Sequence, residues 1–221
     1  MTENMLEGLS VTNGSSEAVN LYFLLFIIAL IPSFLVLTTS FTRILIVLSF
    51  TRNALGTQQS PPNQILIGLA LFLSVFIMRP IYNQVNEEAL QPMLAGEISR
   101  EEALSTAEEP IKGFMLEQTR TSDLELFVQL SGDSFPEEPE DLSLFTVIPA
   151  FAISELRTAF TIGFLIFIPF LVIDIVVASI LMSMGMFMLS PVMISLPFKL
   201  LLFVMVDGWY LVVESLVGSF Y

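Results

Sequence analysis

The chain has 221 residues, 54% of them hydrophobic, with a mean hydropathy of +0.80 and a formal net charge of −14. That is more apolar surface than one soluble core of this length buries, which places the chain in a membrane or a membrane-derived assembly. With no cysteine and no histidine, a disulfide framework, a thiolate or imidazole metal site and a Ser/His triad are excluded, and no cofactor is expected. Only carboxylates remain for proton chemistry, which makes an enzyme the weaker reading.

Residues 1–20 form an acidic tail with Glu3, Glu7 and Glu17 and no Lys or Arg. This lacks the basic n-region of a signal peptide, so the first apolar segment reads as retained. Apolar regions follow at about 21–50, 63–79, 151–182 and 184–220. Asn53-Ala54-Leu55-Gly56 reads as the end of one helix, and Ser60-Pro61-Pro62 as an N-cap with proline in the first turn of the next. Residues 21–80 are therefore expected to form a helical hairpin. The apolar run from Ile65 to Met78 rises only about 21 Å as a helix, against a hydrocarbon layer of about 30 Å. Interruptions are expected at Pro32, at Pro169 and Asp174, and at Pro191, Pro197, Lys199 and Asp207. Broken helices with buried charges are tolerated where protein surrounds them, so these segments should pack mainly on other subunits.

Residues 81–148 carry most of the charge: positions 87–141 alone hold 15 acidic and three basic residues, a net of −12. Residues 97–109 and 111–130 have roughly helical spacing, and 131–141 is a flexible Pro/Gly/acid loop. The segment reads as a small extracytoplasmic helical insertion with a solvated acidic surface. Residues 149–221 form a second hairpin. Its turn lies in MSMGMFMLSPVMISLP (182–197), where five of the 11 methionines fall within twelve residues. Methionine is an ordinary filler of irregular apolar gaps. A glycine-kinked, methionine-lined turn also suits an aperture that closes by dewetting.

Orientation follows from Arg43 and Arg52, read as flanking the first turn, and from Lys199 beyond the second. By the positive-inside rule both turns face the cytoplasm, with the N-terminus, the insertion and the C-terminus outside. Arg79 and Arg157 run against that bias. Asp174 lies 12 residues before Met186 and Lys199 13 after it, so the two reach one depth and can pair within a chain or between neighbours. Glu155 and Arg157, two apart, face different ways and are available to adjacent subunits. Asp174 and Asp207 lack the Gly-x-Gly-Asp context of an intramembrane aspartyl protease. A proton-coupled transporter using Asp174 is the alternative reading.

Phe41-Thr42-Arg43, RNALGTQQSPPNQ (52–64), PAFAISELRTAFTIGF (149–164) and LPFKLLLFVMVDGW (196–209) together resemble the FliP family, the export-gate protein of flagellar type III secretion. The family extends to virulence-secretion homologues, and TQQSPPNQ is the more flagellar wording. The resemblance implies an all-α fold of membrane-associated hairpins with broken helices, assembling into a helical ring that stands partly out of the bilayer plane. It implies a non-enzymatic pore-forming subunit in about five copies, joined by FliQ-like and FliR-like subunits and working with FlhB-like and FlhA-like export proteins. Unfolded flagellar proteins would pass through it across the bacterial inner membrane at the flagellar basal body, with no nucleic acid and no cofactor involved. The family's methionine gasket falls on Met186, Phe187 and Met188, flanked by Met184 and Gly185, with phenylalanine replacing the middle methionine. Its charged contacts between neighbours fall on Arg120, Glu155, Asp174 and Lys199. Many family members carry a cleaved signal peptide, which this N-terminus does not resemble.

Overall fold

A computed structural model describes residues 21–221 apart from 23, 24, 27, 31, 58, 133–135 and 137. The readings made for residues 1–20, and for part of the 131–141 loop, lie outside the described residues. The chain divides into two units, residues 1–36 and 37–221. Those described between 21 and 36 are helical and exposed. Every regular element among the described residues is helical.

In the second unit α1 spans Phe41–Leu55 and α2 Asn63–Ile77. They form a hairpin closed by Gly56 in the left-handed region, shorter than the 21–80 expected because its first limb begins at Phe41. The prolines of Ser60-Pro61-Pro62 end the loop and do not enter the helix: Pro62 is the N-cap, because two consecutive residues without N–H groups suit the turn before the first hydrogen-bonded residue. Arg52 holds this loop by donating to Pro61 O (3.2 Å) and Asn63 Oδ1 (2.5 Å). At the other end of the hairpin Ser40 Oγ donates to Ser74 Oγ (3.1 Å), which donates to Thr39 Oγ1 (3.3 Å).

Past Met78 the chain bends by 55° into α3 (Arg79–Val85), a π-helical turn (Asn86–Leu90) and α4 (Gln91–Ala95). Pro92 has no N–H for the carbonyl four residues back, and the hydrogen bonding shifts register there, with Gln91 N–H reaching Asn86 O. Helix α5 (Arg100–Gln118) begins at Ser99, whose side chain accepts from Glu102 N–H, and it runs on through Pro110. Helix α6 (Thr121–Ser131) follows.

Helix α7, Leu144–Ser183, is unbroken for 40 residues. Neither Pro169 nor Asp174 interrupts it: a proline removes one hydrogen bond, which a long helix packed on neighbours withstands, and Asp174 has a counter-ion. Pro32 likewise lies inside a helix, Ile28–Thr38. In the last region α8 (Pro191–Met205) passes through Pro197 and Lys199, and the break falls at Asp207, the one non-glycine described with positive φ (51°). There the chain bends by 64° into α9 (Gly208–Gly218). Of the described helices, α7 alone is long and apolar enough to cross a membrane, or up to four spans exist if each bent pair counts as one.

Helices α1 and α7 run parallel. The buried stripe of α1 (Ile44, Val47, Leu48, Thr51, Leu55) recurs at helical spacing; Ile44, Val47 and Leu48 share one apolar cluster with Val147, Ala150, Phe151 and Ala159 of α7, and Leu55 shares another with Phe170. At Gly163 the Phe50 side chain seats directly on α7: a Cβ there would lie 2.7 Å from Phe50 Cγ, and Phe50 packs edge-on to Phe160 with ring centroids 5.2 Å apart. Gly163→Ala should therefore lower stability by about 1–3 kcal/mol through overpacking, despite alanine's better helix propensity. Gly113, in α5, has nothing within 4 Å of an added Cβ, and Gly113→Ala should stabilise by up to about 1 kcal/mol. Melting midpoints of the two variants in one detergent, moving in opposite directions from the parent, check both signs.

Candidate functional site

The sequence concentrates ionisable residues and methionines in the apolar helices, and the fold gathers them at three levels of the α1/α7 axis. The first level is Arg43. The residue is 2% exposed and all five N–H groups of its guanidinium have partners. Nε donates to Glu155 Oε2 (3.0 Å) and one terminal nitrogen to Glu155 Oε1, a side-on bidentate pair. That same nitrogen donates to Gln118 Oε1 (3.0 Å), and the other reaches Ser219 O (3.1 Å) and Ser219 Oγ (3.2 Å). The guanidinium carbon lies 3.9 Å from the Phe220 ring centroid, a cation–π contact. One side chain thus joins α1, the end of α5, α7 and the residues after α9.

This overturns two expectations. Arg43 does not flank the first hairpin turn; it sits at the opposite end of α1. Glu155 is not available to adjacent subunits through its carboxylate, being 0% exposed and bonded to Arg43. Of the three cations used for orientation, Arg43 and Lys199 are both internal ion-pair members, which leaves Arg52 to carry that argument.

The second level is Lys199. Its Nζ lies 2.6 Å from Asp174 Oδ2 and donates to Ala54 O (3.1 Å), one of the last carbonyls of α1 that the helix itself leaves unsatisfied. Ser195 Oγ donates to the other carboxylate oxygen, Asp174 Oδ1. The depth match read from the sequence is thus met inside one chain. Lys199 ties α1, α7 and α8 together, beside an apolar cluster of Ala54, Leu55, Phe170 and Phe203.

The third level is the methionine turn. Helix α7 ends in a Schellman motif: Gly185 N–H bonds Met182 O (3.0 Å) and Met186 N–H bonds Leu181 O (2.9 Å), with Gly185 at φ 75°. Pro191 then opens α8 at its first turn. The residues between are displayed at the tip of the hairpin, with Met186 42%, Phe187 79% and Met188 99% exposed. Arg120 is exposed at the start of α6, and with Arg157 it lines a groove of about 200 Å³. Among the described residues neither arginine forms an ion pair. No group of three or more possible metal ligands occurs among them either.

Sequence reasoning missed Gln118, Ser195, Ser219 and the Arg43–Glu155 pair. A signal for the pair existed. Arg43 is a cation in an apolar helix with no nearby acid, and the apolar regions contain few candidate counter-ions, Glu155 among them.

The chain matches the FliP family over residues 24–216. It is 60% identical over 205 residues to the flagellar biosynthetic protein FliP of Bacillus subtilis (strain 168), covering 93% of this chain and 93% of that protein. The protein of the same name from Pectobacterium carotovorum is 54% identical over 191 residues, 86% of this chain and 74% of the relative. That from Aquifex aeolicus is 52% identical over 207 residues, 92% and 86% respectively.

Removing Glu155 would strand a guanidinium in the core, at a cost of about 3–5 kcal/mol. Glu155→Ala should therefore destabilise strongly, while Arg43→Met/Glu155→Leu should recover most of the loss. Asp174→Ala should do less harm than Glu155→Ala, because the Asp174 side chain is 22% exposed and Lys199 keeps Ala54 O. Protease resistance and melting midpoints of the purified variants in detergent measure the order.

Proposed function

Because the chain belongs to the FliP family, we propose that it is a structural, pore-forming subunit of a flagellar protein export gate. In this reading several copies, about five by family resemblance, form a ring with FliQ-like and FliR-like subunits in the inner membrane of the flagellar basal body. FlhB-like and FlhA-like proteins work beside it, and unfolded flagellar subunits are the cargo.

The observation that carries the proposal is the exposed tip made of Met186, Phe187 and Met188. An apolar turn anchored by a Schellman motif and a proline, yet bare on its outer side, has its function beyond its own chain. In a ring of such tips the apolar side chains would exclude water and ions by dewetting. Unbranched thioethers re-pack around a passing chain through three rotatable bonds and leave no polar group unsatisfied. Phe187 brings a stiffer surface to the same ring. Arg120 and Arg157, exposed in their groove and without an ion pair among the described residues, are the cations offered to a neighbour's carboxylates. The transporter reading assigns a mobile proton to Asp174. Both of that carboxylate's oxygens are engaged, by Lys199 and Ser195, the arrangement of a fixed counter-ion.

Changing Met186, Phe187 and Met188 together to Ala should make cells leak ions and small dyes while the complex still assembles. Dye influx measured beside secreted flagellin tests this; a triple variant that assembles, secretes and stays tight would return these residues to ordinary packing. The proposed orientation places the acidic insertion outside and the first hairpin turn inside. In this cysteine-free chain, an impermeant maleimide should label Ser105→Cys in intact cells and Gln59→Cys only after the membrane is opened.

A further inference from the structure

The acidic insertion has a groove of about 420 Å³ between the π-helical turn with α4 on one side and α5 on the other. Ala89 and Ala103 form its buried floor, Leu90 and Met93 one wall, and Leu104 and Ala107 the other. Leu104 is 73% exposed. The α5 wall residues 100, 103, 104 and 107 recur at helical spacing over two turns, the length that a short amphipathic helix covers. Exposed carboxylates lie close in sequence to its lining: Glu87 and Glu88 on the π-helical turn, Glu97 after α4 and Glu101 on α5. Arg100 is the one basic residue lining the groove.

We propose that this groove docks an amphipathic helix of a partner protein, with apolar anchors on one face and Lys or Arg at its flanks. Charge selects the occupant. A second copy of this chain is a poor candidate for this groove, since its insertion carries the same net −12 over residues 87–141. A basic helix gains attraction on approach from the net −12 of the insertion, and its anchors leave water as they seat against the alanine floor. The inference goes beyond the gate reading, because the groove lies in the insertion and not at the methionine tip.

The test uses the full-length chain in detergent and a fluorescein-labelled, stapled helical peptide bearing Leu at i, i+3, i+4 and i+7 with Lys at its flanks. Fluorescence anisotropy should show saturable binding. The affinity should fall by about tenfold or more with Leu104→Asp, in line with loss of a central anchor contact. It should also fall with Glu97→Gln/Glu101→Gln, and when Glu replaces the peptide's Lys. Leu104 is exposed, so Leu104→Asp leaves the fold intact, which circular dichroism checks. Equal binding of the Lys and Glu peptides, or binding indifferent to Leu104→Asp, overturns the proposal. So does an absence of peptide binding with Leu104→Asp instead reducing the size of the purified oligomer, which would make a second copy the occupant.

Discussion

A guanidinium in an apolar helix bundle is tolerated only when every donor has a partner, and Arg43 imposes that condition on much of this molecule. The cost of desolvating a charge amounts to several kcal/mol even after relaxation. The charge is kept in place by a bidentate carboxylate from α7, an amide from the end of α5 and the Ser219 carbonyl and hydroxyl past α9. These groups come from positions 43, 118, 155 and 219, distant in sequence, and they reach one point only if the helices take their observed arrangement. Hydrophobic contact between α1 and α7 is non-directional and would accept neighbouring registers. The ion pair and its hydrogen bonds select one.

Lys199, on α8, repeats the device farther along the same axis, with a closing carbonyl of α1 and a carboxylate of α7 as partners. Between the two cations α1 is fixed to α7 at both ends, and Phe50 against Gly163 fills the space between. Beyond Asp174 there are nine more residues of α7 and then the methionine turn, where no such fastening occurs among the described residues. The chain therefore has a rigid shank and a bare tip. That division suits a part whose end must deform while its position is held.

How much of this was legible follows from the range of each signal. The helical class, the first hairpin, the turn at Gly185 and the matched depth of Asp174 and Lys199 depend on local composition or on counting residues, and all can be read directly. The breaks were misjudged because proline acts through its neighbours. Pro169 and Pro197 sit in helices whose packing compensates for one lost hydrogen bond, whereas within residues 37–221 the bends fall at Met78, a position with a weak signal in the chain, and at Asp207, the one expected interruption that does break its segment. The Arg43–Glu155 pair spans 112 residues, and only the tertiary fold could specify it. The exposure of Met188 was beyond a sequence reading as well, since methionine in a core and methionine at a tip share one composition.

The length of α7 sets a further condition on how the chain exists. Forty residues of helix rise about 60 Å, twice the roughly 30 Å of a hydrocarbon layer. Its exposed apolar residues begin at Phe145, continue through Ile153, Phe160, Phe164 and Leu171, and reach Ile180. That band is about 53 Å long at 1.5 Å per residue, so a bilayer can cover little more than half of it, even with the usual tilt of about 20°. Apolar surface of this extent left in water is characteristic of an interaction face and not of a finished monomer. The remainder must meet protein. The acidic insertion caps one end of the band within the chain, but it packs on the face of α7 that carries Phe151 and Ser154, not on the face that carries Phe160 and Phe164. The face left exposed among the described residues is therefore where a protein neighbour would have the most free energy to gain.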